Sequence, residues 1–488
     1  MKRCFYVLFG LLMSLAVRAQ TIYKEYEVDS IARPIGGLPL LEKFINVNRR
    51  MPYAAEVSQT KGVVILSAIV EPNGTVSAAR ALRSLHPDCD REAIRVLSLF
   101  KAWKPALKDG KPVRQELTYT IRFTPGEWEC KPDQTIRYFN HKGDLTINRA
   151  KAKYQLRIPV DSLGYPSGSP VVYQKSGKNW KEFERLQFRK EPFTHFNYDN
   201  PAQTDSADAY RLKIVDKTGA NQDIHYAFLT DGRLLETEPY SDGRRIRSSY
   251  YYGRDGIVKR LEERTQNHTF MQWLWYPNGQ LYQIALHEFD VQAYGYYRLI
   301  NQWDSTGTPT VVDGTGIASE ISQRDGRMFR ERGALKNSYK EGEWTGRFQD
   351  GPLFYREIYK NGKFMSGKFY KENGEIITYN ELSHPPEFQG GLTALAKFLI
   401  TNIQYPAEAS RAGIQGRVTV SFVVDTEGNV DDVTVLRGIG HGTHEEAVRV
   451  VKATSGKWTP GVQQGRTVKV NYALAIYFTG QKILFLAN

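Results

Sequence analysis

Few residues in this chain have the types and spacing that covalent or metal chemistry requires. His441-x-x-His444 followed by Glu445 offers a metal pair. Protein metal sites, however, draw on three or four ligands, and the neighbouring sequence suggests no third. Gly438-Ile439-Gly440-His441-Gly442 lies between a strand-like and a helix-like stretch, as phosphate loops do. It lacks both the full dinucleotide spacing and the Lys-Ser/Thr of a P-loop, so it reads as a linker. Cys89 stands three residues after His86, a spacing open to a nucleophile or to a structural or oxidised thiol at a helix entry. No Gly-x-Ser-x-Gly elbow and no His-Glu-x-x-His pair occurs, and these are the signatures of serine hydrolases and zinc proteases. The expectation is a non-enzyme with no metal and no cofactor.

Recognition is the chemistry that remains, and the C-terminal region carries it. Val468, Val470, Tyr472, Leu474, Ile476 and Phe478 alternate along one face of a strand. If that strand ends its sheet, its unpaired N–H and C=O groups can take up another extended peptide. Gln404-Tyr405-Pro406 closes a preceding helix, because proline disfavours helix at the residue before it. Tyr405 leaves two readings open, internal packing and peptide contact.

The elements that position these residues follow from periodicity. Leu392, Leu395, Ala396, Leu399 and Ile403 recur at helical spacing, which predicts a helix over 391–403. Val418, Val420, Phe422 and Val424 alternate as a strand, and Asp425 to Gly428 turns the chain into a second strand, Val430 to Leu436. His444-Glu445-Glu446 opens another helix, its early acids suiting the positive N-terminal end. The closing strand runs from about Val468 to Phe478. Helix, hairpin, helix and strand make a small α+β domain, a three-stranded antiparallel sheet with two helices on one face.

The same domain occurs twice. At a constant spacing of 354 positions, Phe44, Asn48, Pro52, Gly62, Gly74, Glu92 and Arg95 fall on Phe398, Asn402, Pro406, Gly416, Gly428, Glu446 and Arg449. One added residue then makes the spacing 355, and Trp103 and Pro105 meet Trp458 and Pro460. Two distant copies are too few for a solenoid and read as duplicated domains, at 31–125 and 384–480, around an insert. Each tryptophan, two residues before a proline, reads as a core anchor.

The insert, 126–380, alternates aromatic and β-branched runs with Thr230-Asp231-Gly232, Ser241-Asp242-Gly243, Arg254-Asp255-Gly256, Pro277-Asn278-Gly279, Lys360-Asn361-Gly362 and Glu372-Asn373-Gly374. Tight hairpin turns need positive φ, which these pairs supply, so an antiparallel β-meander is expected. Gly342-Glu343-Trp344-Thr345-Gly346 through Lys363 is similar to MORN-type repeats, hairpin units that serve as scaffolds.

Residues 1–19 resemble a secretory signal: Lys2 and Arg3, an apolar run from Phe5 to Val17, then Val17-Arg18-Ala19 before Gln20. The run is shorter than the roughly 20 residues that span a bilayer. An uncleaved inner-membrane anchor is the rival reading, and export to the periplasm the expectation. The chain has 488 residues and a formal charge of +13. The Lys/Arg are scattered without an uninterrupted run, which reads first as a solvated face and offers no dedicated nucleic-acid site; an exported basic surface would otherwise meet anionic envelope surfaces, peptidoglycan or acidic protein segments. Cys89 and Cys130 are the two cysteines beyond the signal; whether they pair stays open.

Pro386-Glu387-Phe388-Gln389-Gly390-Gly391, Gln404-Tyr405-Pro406, Ile414 to Val418, Asp425 to Gly428 and Lys457 to Gly461 together resemble the TonB C-terminal domain in its Bacteroidota form. The resemblance implies a periplasmic module of energy-coupled transport that grips the extended TonB box of an outer-membrane receptor beside its last strand. It maps receptor contact onto Gln404, Tyr405 and Pro406; copy one has Arg50, Met51 and Pro52 there, so one binding copy and one structural copy are expected. A full TonB adds a membrane anchor that engages an inner-membrane motor, and a Pro-rich spacer, whereas the 22 prolines here are dispersed. An envelope scaffold or adaptor that binds peptidoglycan or other envelope proteins is the alternative, and a homodimer stays open.

Overall fold

The computed structural model describes residues 21–126, 128–197, 205–241, 244–245, 248–266, 269–289, 295–324, 327–349, 351–479 and 482–487. The signal-like segment 1–19 and the Asp242-Gly243 turn lie outside these residues. No helix among the described residues is long and apolar enough to cross a membrane. The chain divides into two compact units, Met1–Val312 and Asp313–Asn488.

The first unit opens with the N-terminal copy. Helix Leu38–Asn48, hairpin Gly62–Val70 and Val76–Arg83, helix Pro87–Leu99 and closing strand Lys111–Phe123 follow in the expected order. The closing strand pairs antiparallel with Gly62–Val70, which also pairs with Val76–Arg83. Leu41, Phe44, Val64, Leu66, Val96 and Phe123 form the core between helices and sheet. Next comes a five-stranded sheet built from Glu129–Lys131, Gln134–Phe139, Tyr154–Pro159, Val171–Ser176 and Asn179–Arg185. The insert is therefore not one meander from its start. Strands from Gln187–Asn197 to Pro309–Val312 then form a long antiparallel meander, and Gly232, Gly256 and Gly279 take φ near +80 to +90° at its turns.

The N-terminal copy is built into that meander. Ile257, Val258, Leu261, Trp275 and Leu281 join its core. Asn48, 1 % exposed, accepts the Val258 N–H at 2.7 Å through Oδ1 while its Nδ2 donates to the Phe44 carbonyl. The Lys43 ammonium meets Glu263 at 2.9 Å and lies 4.2 Å from the Trp273 ring centre. The Lys101 N–H donates to the Asn278 carbonyl at 2.8 Å.

The second unit begins with meander strands from Thr315–Arg324 to Ile376–Tyr379. The C-terminal copy repeats the order with helix Gly391–Asn402, hairpin Gly416–Val424 and Val430–Arg437, helix Thr443–Lys452 and closing strand Val470–Thr479. Its core holds Leu395, Leu399, Val420, Phe422, Val450, Trp458, Ile476 and Phe478. The tryptophans are anchors, as expected: Trp458 is 2 % and Trp103 6 % exposed. Their backbones explain the repeated turn glycines. A Cβ on Gly74 would stand 2.5 Å from the Trp103 carbonyl oxygen, and one on Gly428 2.2 Å from that of Trp458.

Two expectations need correction. Val468 is not in the closing strand. Lys469 interrupts the ladder, and Val468 pairs with Gly461 in a separate hairpin of Gly461–Gln463 and Arg466–Val468. Nor is the C-terminal closing strand a bare edge. A further strand, Lys482–Ala487, pairs antiparallel along its outer side, from Thr479 opposite Lys482 to Leu474 opposite Ala487.

Candidate functional site

The Gln404-Tyr405-Pro406 corner is held from behind by the second helix. The Glu446 carboxylate accepts the Gln404 N–H at 2.5 Å and the Arg449 guanidinium at 2.7 Å, and Arg449 reaches on to the Asn402 carbonyl at 2.6 Å. Copy one repeats every contact: Glu92 accepts the Arg50 N–H at 2.6 Å and the Arg95 guanidinium at 2.7 Å, and Arg95 donates to the Asn48 carbonyl at 2.7 Å. The last helical carbonyl of the first helix has no intrahelical donor, and the arginine supplies one. Residue spacing marked Glu446 and Arg449 as repeated without revealing this role, because their partners are main-chain atoms. The signal in the sequence was a matched Asn, Glu and Arg in both copies.

At the corner itself, Tyr405 is committed inward. Its hydroxyl donates to the Ile414 carbonyl, and its ring stands edge-on to Phe478 with centres 5.7 Å apart. Pro406 begins the short helix Ala407–Arg411. The Gln404 side chain is exposed and makes no hydrogen bond among the described residues. It is the part of the corner available to a partner.

Along the closing strand, Leu474 is fully buried, and Tyr472 packs on Trp458 and Phe422 at 5.1 and 5.5 Å between ring centres. These side chains serve the core, so what the strand offers outward is its main chain. The structure thus brings Tyr405 to Phe478 of the closing strand and leaves Val468 off that strand. On the outer side of the closing strand, Lys482–Ala487 covers Leu474–Thr479. Val470, Asn471, Tyr472 and Ala473 have no strand partner there among the described residues.

The equivalent edge in copy one is closed differently. Ile22–Tyr23 pairs parallel at Arg114 and Gln115, and Lys24 forms an ion pair with Glu116. Further along, the Arg49 guanidinium donates to the Arg122 carbonyl. Between helix and strand lies a groove of about 360 Å³ walled by Glu42, Asn46, Arg49, Tyr119 and Arg122. At the matching positions copy two carries Ala396, Ile400, Ile403, Leu474 and Tyr477, of which Ile403 and Leu474 are in its core.

The remaining chemical candidates are occupied structurally. Cys89 and Cys130 are both free and buried. Burial pushes the Cys89 thiol up to about 11, and His86 caps its helix by accepting the Asp88 N–H through Nδ1. Burial thus favours the neutral thiol at Cys89. His444 accepts the Gly440 N–H at 3.0 Å and His441 meets Glu408 at 3.0 Å. No cluster of three metal-ligating side chains occurs among the described residues.

Comparison with known families matches two segments, residues 47–125 and 401–479, to the Gram-negative bacterial TonB protein C-terminal family. Among solved structures, the NMR structure of the Helicobacter pylori TonB C-terminal domain is 22 % identical over 19 % of this chain and 95 % of that one, with a TM-score of 0.16. No curated protein sequence matches.

Proposed function

With two segments of the TonB C-terminal family in one chain, we propose an envelope protein whose C-terminal copy captures an extended segment of an outer-membrane receptor by strand addition. The added strand lies along the outer side of Val470–Thr479, with the Gln404 side chain at the adjoining corner. Main-chain pairing supplies affinity, and contacts to alternate side chains of the added strand supply selectivity. The observation that carries this reading is the outer edge itself: in copy two six residues pair antiparallel along it, whereas in copy one a two-residue strand pairs only at Arg114 and Gln115 and Arg49 occupies the carbonyl of Arg122.

The N-terminal copy has a structural role in this account. Its Asn48, Lys43 and Phe44 face is spent on the meander of the first unit. A scaffold function, with the chain holding peptidoglycan or another envelope protein, is the second reading, and the same embedding favours it. The protein acts in the periplasm, without chemistry on its ligand and without a cofactor.

Titration of the full chain with synthetic N-terminal peptides of outer-membrane receptors tests the first reading. Saturable binding that weakens at least about tenfold with a proline mid-peptide is expected, since proline removes a ladder donor. Binding to peptidoglycan sacculi, with no response to any receptor peptide, supports the scaffold instead.

A further inference from the structure

The strand Lys482–Ala487 occupies the edge on which the proposed function depends. It pairs over Leu474–Thr479, and because it runs antiparallel its last paired residue, Ala487, sits opposite Leu474. Immediately beyond lie Val470 to Ala473, whose outer side has no strand partner among the described residues. The Ala487 end of that strand therefore borders the open part of the edge.

The tail reads Lys-Ile-Leu-Phe-Leu-Ala. Helix Gly391–Asn402 contacts it and, with its C-cap, carries Ala396, Ile400 and Ile403, of which Ile400 is 54 % exposed and Ile403 lies in the core. At the same three positions copy one carries Glu42, Asn46 and Arg49. The copy with apolar residues there has six residues of strand along its edge; the copy with charged and polar ones has only Ile22–Tyr23 at Arg114 and Gln115, and a guanidinium on the Arg122 carbonyl.

We propose that Lys482–Ala487 is a resident pseudo-ligand, and that the partner is an extended apolar segment which enters at Val470–Ala473 and peels the tail off from Ala487. This rests on the reading that the C-terminal copy recognises by strand addition. Exchange of one ladder for another conserves main-chain hydrogen bonds, so displacement exposes no edge beyond the one already open at Val470–Ala473. A tethered strand competes at a high effective concentration, which lowers the apparent affinity of any segment that needs the edge free. The tail also shields that edge from pairing with a second chain.

The test uses a fluorescent peptide of the sequence 480–488 as probe, with three proteins: the full chain, the chain ending at Thr479, and full-length Leu484→Pro. Leu484 pairs with Tyr477, and proline there removes a ladder donor from Lys482–Ala487. The probe should bind the shortened chain and Leu484→Pro at least about tenfold more tightly than the full chain. Equal affinity for all three overturns the proposal, as does failure to bind a shortened chain or Leu484→Pro variant that retains native circular dichroism. Receptor peptides form the second arm. If they bind all three proteins equally, the tail is not their competitor and receptor capture stands alone. If they bind none while the probe shows the tenfold gain, the tail occupies the edge and the receptor reading fails.

Discussion

The Glu446 carboxylate accepts the main-chain N–H of Gln404 at 2.5 Å, tying the second helix of the C-terminal copy to the corner that ends its first. Glu92 does the same for Arg50 at 2.6 Å in the N-terminal copy. Two domains with different residues at the corner keep the same support, so the support belongs to the fold and the corner residue is free to specialise.

Removing that support should be costly in both copies. Glu446→Ala leaves an arginine and a main-chain donor without their acceptor in a site 9 % exposed, for which about 2–3 kcal/mol is expected. Glu446→Gln keeps one acceptor oxygen and should lose about half as much. Urea denaturation followed by circular dichroism provides the comparison, and equal losses for the two variants would contradict the ionic character assigned to the contact.

The two matching asparagines should not be equivalent. Asn48 satisfies the Val258 N–H, whereas among the described residues Asn402 bonds through its amide nitrogen to the Phe398 carbonyl and its side-chain oxygen has no partner. Asn48→Ala orphans a buried N–H and should destabilise the first unit by about 2 kcal/mol. Asn402→Ala should cost about 1 kcal/mol or less in the second. Thermal melts of both variants check the order.

In the second unit, Glu357 is 2 % exposed and accepts from Tyr359 at 2.7 Å, Tyr379 at 2.8 Å and Gln464 at 2.7 Å. Burial raises both phenols well above their ordinary range. Gln464 belongs to the hairpin that precedes the closing strand, so this carboxylate ties the recognition domain to its own meander. Glu357→Ala should cost about 3 kcal/mol, since three buried donors lose their acceptor. Tyr379→Phe should cost about 1 kcal/mol. Proteolysis of the segment 461–468 should accelerate in the first variant more than in the second.

His225 makes the first unit sensitive to acid. Burial lowers its pKa below 6.5, and its Nε2 lies 3.1 Å from the Ile214 carbonyl. The unfolded chain takes up a proton near pH 6.5 while the folded one resists until its lower pKa, so stability is full above 6.5 and falls as the pH drops through that window. Replacement by glutamine should flatten the slope of melting temperature against pH between 6.5 and 5. An unchanged slope would assign the acid response to other groups.

Much of each end domain was legible in the sequence. Alternation and helical spacing gave the helices and strands to within a few residues, and the glycines of the turns followed from φ. The misread positions have physical causes. Val468 and Val470 continue one alternation, so nothing in the pattern marks the break at Lys469. Ile483 to Leu486 is a short unbroken apolar run, which fits a strand or a helix end equally until its partner is known. The two-residue clasps, Arg33–Pro34 on Trp103–Lys104 and Glu387–Phe388 on Trp458–Thr459, are too short to show any period. Tyr405 could be read as packing or contact, and the hydroxyl bond to Ile414 decides for packing. Gln404→Ala should therefore weaken peptide binding without lowering stability, while Tyr405→Ala should lower both.

The central claim is that a partner strand adds to the outer edge of the C-terminal closing strand and not to its N-terminal counterpart. Amide hydrogen exchange on the full chain, with and without a bound receptor peptide, reads both edges at once. The account predicts new protection at alternate amides within Val470–Ala473, and none within Glu116–Phe123. Protection of the N-terminal edge, or binding of the peptide with no change at Val470–Ala473, would contradict it.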